Sequence, residues 1–465
     1  MNNTAENDND KLGFGSIVLF GVNAIIGSGI FLTPGSVVQQ VGSKALVVYL
    51  IAAIFATILA VTFASAAKYV NKSGAAYAYS KAAFGPKVGF YMGVLRYFSA
   101  SVAWGVMAVG VIKSTISIFG GDANNALTTT IGFLVLMALL TLVNVFGQKV
   151  VKYVMNIATV GKLAALVLVI VAGATILTVT QPGHTISSVD SVRVGGKAVV
   201  PALTTSTFVM AIVSAFYAFT GFEAIASGAE DMKNPEKNLP RAIPLSMLII
   251  AVIYIGVVAV AMLLNPKALM TTKEVVAVAA IFNNRFLKNL ILVGALVSMF
   301  GINVASSFNA PRILEAMANE GQMSKWLTQR TKNNFPARTF VISVLLAVLI
   351  PMAFQYNMTN LITLSAMIRF LGFIVVPIAV MFFYKGKSQA ELLPAERNLV
   401  TDVIFPILSI VLTVFLLINY DWKSQFGLIS NGKVVGVNWY AIAMMAFGFV
   451  VLPLIMAWLA KRETR

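Results

Sequence analysis

The sequence predicts an all-α integral membrane protein with about twelve transmembrane helices, the first ten of which form two inverted five-helix repeats. Three observations predict this fold class: a composition rich in apolar residues, long stretches without charge, and two glycine-containing interruptions that lie five helices apart.

The composition excludes a water-soluble protein. Hydrophobic residues make up 58% of the chain and charged residues only 11%, whereas soluble domains carry about 25% charged residues. So few charges cannot cover a water-soluble surface. The apolar residues are also grouped into long runs and lack the amphipathic spacing of a soluble fold. We therefore expect most of the chain to lie within a bilayer.

Twelve stretches with few charges are each long enough to span about 30 Å of hydrocarbon as a helix. They cover residues 12–43, 45–67, 97–112, 123–148, 163–179, 198–222, 242–265, 289–311, 339–356, 361–384, 403–420 and 434–460. The predicted organisation is a first repeat at 14–180, a second repeat at 198–384 and two added helices at 400–460. Short tails at 1–13 and 461–465 complete it.

The termini are predicted to be cytoplasmic. The first ten residues are polar and carry Glu6, Asp8 and Asp10, unlike the basic flank of a cleaved signal, so the first apolar run reads as an uncleaved helix. Lys and Arg are more frequent in the loops on that side, as the positive-inside rule requires. The net charge of +17 then faces an anionic cytoplasmic leaflet, and no basic stretch suggests nucleic acid.

The sequence carries no motif typical of catalysis or metal binding. The chain has no cysteine, which excludes disulfides, thiolate metal sites and cysteine nucleophiles. The single histidine, His184, lies in a predicted external loop without companion ligands. No Gly-x-Ser-x-Gly, His-Glu-x-x-His or Walker motif occurs. We therefore predict neither an enzyme nor a cofactor.

Two predicted helices are interrupted in their middle. The first contains Gly27-Ser28-Gly29 and the sixth contains Phe219-Thr220-Gly221-Phe222, and glycine weakens a helix by about 1 kcal/mol relative to alanine. Close helix packing is an alternative reason for small residues. However, breaks five helices apart are typical of inverted repeats, whose binding sites lie where the breaks meet near the membrane midplane.

A broken helix exposes N–H groups at one half-helix and C=O groups at the other. In hydrocarbon these groups are tolerated only beside a cavity or ligand. The N–H end attracts a carboxylate and the C=O end an ammonium. An α-amino acid zwitterion carries both groups a few ångströms apart, so this arrangement predicts an amino acid substrate whose side chain is selected by neighbouring residues.

The sequence resembles the amino acid–polyamine–organocation transporters from about Gly13 to the end of the tenth helix. Four motifs in order carry the resemblance: Ile-Ile-Gly-Ser-Gly-Ile-Phe at 25–31, Phe-Tyr-Ala-Phe-Thr-Gly-Phe-Glu at 216–223, Asn-Pro with Leu-Pro-Arg-Ala at 234–242, and the segment 312–321. The resemblance implies the five-plus-five inverted repeat shared with bacterial leucine transporters, with broken helices one and six. It also implies alternating access, in which a mobile bundle rocks against a scaffold.

The resemblance also implies specific substrate contacts. The carboxylate would meet the amides of Ser28, Gly29 and Ile30, and the ammonium would meet the carbonyls of Tyr217, Ala218 and Thr220. The complete predicted substrate-binding set is Ile26, Gly27, Ser28, Gly29, Ile30, Ser101, Trp104, Tyr217, Ala218, Phe219, Thr220, Gly221 and Ser306. The side chains in this set are uncharged, which favours a small neutral amino acid, although ordinary helix packing is an alternative role for each of them.

Three ionisable residues are predicted deep in the membrane, where a charge costs at least about 2.5 kcal/mol: Lys162, Glu223 and Arg369. The resemblance makes Glu223 a gating or proton-sensitive residue, with a buried structural pair as the alternative. Arg369 could pair with Glu223, close a gate or contact an acidic substrate, and it argues against a cationic one. Arg96, nearer a helix end, is expected to snorkel in a structural role.

Lys162 is predicted to replace a sodium ion. It lies about 15 Å along the fifth helix, at the depth of the first break, where its ammonium can donate to carbonyls freed around residues 24–27. Residues 156–162 also resemble the fifth-helix pattern of sodium-independent members. Lys162 could bind and release a proton during the cycle, or act as a fixed tether suited to an obligatory exchanger.

Together these features predict a sodium-independent secondary transporter of small neutral L-amino acids in the inner or plasma membrane, working by proton symport or exchange. The alternatives are transport of other amino acids or polyamines, a channel, and a membrane amino acid sensor. The expected partners are the substrate, the lipid bilayer and, for symport, protons. The oligomeric state is left open.

Overall fold

The computed structural model describes residues 12–70, 74–123, 125–146, 148–227, 232–272, 276–331, 335–430 and 433–463. The acidic residues Glu6, Asp8 and Asp10 of the predicted amino-terminal tail lie outside the described residues, as do the last two residues of the predicted carboxyl-terminal tail. Within the described chain the protein is all-α, apart from two short hairpins.

Twelve apolar helices or broken helices follow one another in the described chain, as predicted. Ten segments are long and apolar enough to cross a membrane, and two shorter apolar helices, Thr205–Ala218 and Ala337–Ala353, accompany them. We number them α1a Phe14–Ile25, α1b Gly29–Leu32 continued by Pro34–Val41, α2 Ala45–Tyr69, α3 Pro86–Ile118, α4 Ala126–Val145, α5 Gln148–Thr180, α6a Thr205–Ala218, α6b Phe222–Ser227, α7 Pro235–Leu264, α8 Arg285–Asn319, α9 Ala337–Ala353, α10 Met358–Tyr384, α11 Phe405–Asn419 and α12 Trp439–Glu463.

Several helix ends differ from the predicted bounds. Helix α3 begins at Pro86, earlier than the predicted start at residue 97. A search for charge-free runs stops at a charged residue, whereas a helix can continue past one. Helix α6a begins at Thr205, later than predicted, where the side chain of Thr204 caps it by accepting from the N–H of Thr207. Before it, Arg193–Val194 (β1) pairs with Lys197–Ala198 (β2) as a hairpin. Helix α12 begins at Trp439, since strand β4, Lys433–Val437, precedes it and pairs with strand β3, Gly427–Ser430.

Both predicted helix breaks are present. Helix α1a ends at Ile25, the N–H of Ile26 still donates to the carbonyl of Val22 at 2.9 Å, and helix α1b begins at Gly29. In the sixth helix, α6a ends at Ala218 and α6b begins at Phe222. Gly221 between them has φ of +117°, a conformation that side chains with a Cβ rarely adopt.

The two breaks lie directly against each other. A Cβ atom on Gly29 would meet the backbone Cα of Ala218, and a Cβ atom on Gly221 would meet the backbone carbonyl of Ala24. Each break therefore contributes one glycine, whose missing side chain lets the backbone of the other broken helix come into direct contact. This reciprocal contact brings the N–H groups at the start of α1b and the C=O groups at the end of α6a into one place.

The end of the molecule beyond α1b is covered by loops. Asp190, in the connection between α5 and α6a, accepts a 2.9 Å hydrogen bond from the N–H of Ser43. Gln39 of α1b donates through its side chain to the carbonyl of Met270, in the connection between α7 and α8. These contacts tie the end of α1b that lies farthest from α1a to two loops.

Candidate functional site

A cavity of about 320 Å³ contains both helix breaks. This volume is typical of small-molecule pockets, which start at about 300 Å³. The lining of α3 comes from Arg96, Ala100, Ala103 and Met107, whose spacing of three and four residues places them on one face of the helix. Faces of α5 and α8 and the side chain of Arg369 on α10 complete the wall, so residues of six different helices line the cavity.

The cavity extends from the breaks toward the end of the molecule where α1a begins. Phe20 and Asn23 of α1a, Met155 near the start of α5 and Asn309 of α8 line this part. Asn309 is exposed although it lies well within a membrane-spanning helix. The described conformation therefore gives access to the breaks from the side of the amino terminus.

The first break presents backbone amides to the cavity. Gly27, Ser28 and Gly29 all line it. The carbonyl of Ser28 accepts hydrogen bonds from the N–H groups of Phe31 and Leu32 at 3.0 and 3.1 Å, which start the helical ladder of α1b. The amides before that point belong to the first helical turn, which has no intrahelical acceptors. They form the predicted carboxylate side of the site.

The second break contributes Tyr217, Ala218, Thr220 and Gly221 to the cavity lining. Two of the three predicted ammonium acceptors already accept hydrogen bonds. The hydroxyl of Thr220 donates to the carbonyl of Tyr217 at 2.8 Å, and the hydroxyl of Tyr254 donates to the carbonyl of Ala218 at 3.1 Å. The N–H of Thr220 also donates to the carbonyl of Tyr217, at 3.2 Å. A carbonyl has two lone pairs, so the carbonyl of Ala218 can still accept a second donor, whereas that of Tyr217 already has two.

Three residues of the predicted substrate-binding set support the breaks and do not face the cavity. Ile26, Ile30 and Phe219 are fully buried and do not line the cavity. The ring of Phe219 packs against Tyr254 on α7, with 5.0 Å between ring centroids. Tyr254 thus supports the sixth-helix break through both its ring and its hydroxyl.

The side chains predicted around the site divide into one that faces the cavity and two that do not. Ser306 of α8 is part of the lining. On α3, the hydroxyl of Ser101 instead donates to the carbonyl of Tyr97 at 3.1 Å. Trp104 is fully buried and packs against Phe340 of α9, with 5.9 Å between ring centroids.

Lys162 contacts α1a just before the first break, one residue ahead of the range 24–27 in which its acceptors were predicted. Its ammonium donates a 2.6 Å hydrogen bond to the carbonyl of Asn23. In an unbroken helix this carbonyl would accept from the N–H of Gly27, which lies beyond the end of α1a. The hydroxyl of Thr159, one turn earlier on α5, donates to the side-chain carbonyl of Asn23 at 2.9 Å. Helix α5 therefore holds α1a at two points on one residue.

Glu223 forms the centre of a charged cluster at the second break. Its Oε1 accepts a 2.8 Å hydrogen bond from Nη1 of Arg369 on α10, and Nη1 of Arg96 on α3 lies 3.9 Å from the same oxygen. Its Oε2 accepts a 3.0 Å hydrogen bond from the N–H of Gly221. This buried carboxylate therefore connects α6b to two other helices, and Arg96 faces the cavity instead of snorkelling to the interface.

Sequence reasoning did not identify Asn23, Thr159, Tyr254 or Asn309 as site residues. One signal could have found two of them: Asn23 and Asn309 are amides within otherwise apolar helices, which suggests contact with water or a polar partner. Tyr254 gave no such signal, because its role depends on a contact with Ala218, 36 residues away in sequence. Among the described residues, no group of three or more His, Cys, Asp or Glu side chains could hold a metal ion.

Residues 12–452 match the family described as amino acid permease. An uncharacterized transporter of Mycobacterium tuberculosis is 39% identical over 455 residues, covering 95% of this chain and 93% of the relative. The branched-chain amino acid permease BcaP of Bacillus subtilis is 27% identical, covering 89% of this chain and 88% of the relative. The serine/threonine exchanger SteT of the same organism is 26% identical, covering 85% and 87%.

Proposed function

This chain belongs to the amino acid permease family, and on that premise we propose that it is a sodium-independent secondary transporter of small neutral L-amino acids. It is a multi-pass membrane protein that moves an amino acid, and it is not an enzyme. We place it in the cell membrane with both termini in the cytoplasm, where it works by alternating access as a proton symporter or an exchanger.

One observation carries the proposal. The free amides that follow the first break and the carbonyls that precede the second line the same cavity. A ligand that satisfies both must carry a negative and a positive group a short distance apart, as the carboxylate and ammonium of an amino acid do. Because these contacts are made by the backbone, they recognise the part that all amino acids share.

The lining of the cavity supports a small, uncharged substrate side chain. The faces of α3 and α8 that border the breaks carry Ala100, Ala103, Gly301, Ala305 and Ser306, none of which offers a charge. A cationic side chain would be repelled by the arginines at the second break. Relatives named for branched-chain amino acids and for serine and threonine are compatible with this class.

The ammonium of Lys162 supports sodium independence. A sodium ion bound at a helix break would be coordinated by freed carbonyl oxygens, and here Lys162 donates to one of them, the carbonyl of Asn23. The ammonium of Lys162 therefore supplies the positive charge that a sodium ion would otherwise bring to that oxygen. Whether Lys162 also titrates during the cycle decides between proton symport and a fixed tether.

The function predicts saturable uptake that does not need sodium. We expect purified protein in proteoliposomes to accumulate radiolabelled L-alanine or L-serine at the same rate when sodium is replaced by choline. Competition by the twenty amino acids and by polyamines ranks the substrates, and counterflow separates a carrier from a channel or a non-transporting sensor. Strict sodium dependence, or uptake that does not saturate, would refute the proposal.

Replacement of Arg369 is expected to change transport more than folding. Arg369→Ala removes the 2.8 Å partner of Glu223, but Arg96 lies close enough to take over part of its charge. We therefore expect the initial uptake rate to fall at least about tenfold or the ranking of substrates to change, with expression retained. Arg338→Ala, on a half-buried side chain at the start of α9 and outside the cavity lining, is the control. Loss of folded protein in detergent with unchanged substrate ranking would make Arg369 structural.

A further inference from the structure

Arg96 is a charged residue of the cavity that the proposed function does not use. Its side chain is 26% exposed, and its ion-pair partner, Glu223, is 3.9 Å away. Glu223 is already engaged, since its two oxygens accept hydrogen bonds from Arg369 and from the N–H of Gly221. Within the part of the chain that the structure describes, no atom accepts a hydrogen bond from the guanidinium of Arg96.

The charges that line the cavity do not balance. Arg96, Lys162 and Arg369 face a single carboxylate, Glu223. Arginine does not lose its proton in proteins, so Glu223 can neutralise only one of the two guanidinium groups. Lys162 is occupied elsewhere, by the carbonyl of Asn23. A charge at membrane depth costs at least about 2.5 kcal/mol unless it is fully paired, and Arg96 shares its one carboxylate with Arg369, so its position favours an anionic ligand.

We infer that the cavity also takes acidic amino acids, L-aspartate and L-glutamate, and that Arg96 binds their side-chain carboxylate. The inference rests on the proposed function, in which the two helix breaks bind the α-carboxylate and the ammonium. Arg96 is well placed for this role, because Glu223 contacts both Arg96 and the N–H of Gly221. The carboxylate of Glu223 is thus the one group that separates the guanidinium of Arg96 from the backbone of the sixth-helix break.

The surroundings of Arg96 leave space for such a ligand. Ala100, one turn further along α3, lines the same cavity with only a methyl group, and Ala103 follows on the same face. A side chain of one or two methylene groups can extend along this face from the breaks toward Arg96. Guanidinium and carboxylate groups form paired, charge-assisted hydrogen bonds about twice as strong as neutral ones, so one such contact can decide selectivity.

The test compares acidic amino acids with their amides, which match them in size but lack the charge. In proteoliposomes, uptake of radiolabelled L-alanine is measured in the presence of increasing concentrations of L-aspartate, L-asparagine, L-glutamate or L-glutamine. We expect the acids to inhibit at lower concentration than the amides. Arg96→Gln should reduce this acid-to-amide preference at least tenfold, about 1.4 kcal/mol, whereas Arg96→Lys should retain part of it. Lys113→Gln, on the same helix but outside the cavity lining, is the matched control.

Two results would overturn the inference. If the acids do not compete with L-alanine, or if Arg96→Gln weakens acids and amides equally, Arg96 does not bind the side-chain carboxylate. Failure of the proposed function looks different, since then no neutral amino acid would be taken up. If Arg96→Gln cannot transport at all, thermal stabilisation of the purified variant by L-aspartate and by L-asparagine still gives the ratio.

Discussion

Valine at Gly29 or Gly221 is expected to abolish substrate binding while leaving an inserted, folded protein. A Cβ at Gly29 would run into the backbone of Ala218, and a Cβ at Gly221 into the carbonyl of Ala24. Gly221 also has φ of +117°, where a β-branched residue is strained. Overpacking costs about 1–3 kcal/mol, which corresponds to roughly five- to 160-fold in affinity, and here it displaces the backbone groups that bind the substrate.

The measurement is thermal stabilisation of purified protein by L-alanine or another amino acid that the unmodified protein binds. Gly15→Val is the matched control, because Gly15 lies on α1a and a Cβ there would meet nothing within 4 Å. Gly29→Ala tests the same contact with the smallest possible side chain if valine prevents insertion. Full ligand-dependent stabilisation of the Gly29 or Gly221 variants would show that the site lies elsewhere.

Replacing Lys162 by alanine is expected to lower uptake at least about tenfold. The variant leaves the carbonyl of Asn23 without its 2.6 Å donor, and an unsatisfied buried polar group costs about 1–3 kcal/mol. It also removes the positive charge next to the first break. Thr159→Val is the matched comparison, because it removes the other contact to Asn23 without changing charge, and it should have a smaller effect.

Initial rates in proteoliposomes with and without an inward proton gradient separate the two roles of Lys162. A titrating lysine predicts that the gradient stimulates the unmodified protein but has no effect on Lys162→Ala. A fixed tether predicts that the gradient leaves the unmodified protein unchanged. Uptake by Lys162→Ala within about twofold of the unmodified protein would exclude both roles.

The fold was predictable because membrane helices are specified by local composition. A run of apolar residues long enough to cross the bilayer has few alternatives to a helix, so all twelve spans could be identified one by one. Their ends were less predictable. Helix α3 continues past Arg96 and Lys113, since a charged side chain can be accommodated in a helix that faces a cavity or ends near the interface.

The candidate site was predictable where it depends on backbone conformation. The glycines that permit the breaks and the depth of Lys162 could be assigned within a single helix. Contacts between helices could not, because the rotation of each helix about its axis is not specified by an apolar run. Trp104 and Ser101 therefore proved to lie outside the cavity lining, and Arg96, expected at the interface, faces the cavity.

The reciprocal contact between the two breaks has a mechanical consequence. Gly29 lies on the backbone of Ala218 and Gly221 lies on the backbone of Ala24, so neither half-helix can swing without pushing the other. The two half-helices are therefore expected to move together as one unit. Spin labels on α1b and α6a should keep one constant separation throughout the transport cycle, while the separation of either label from α3 changes between states.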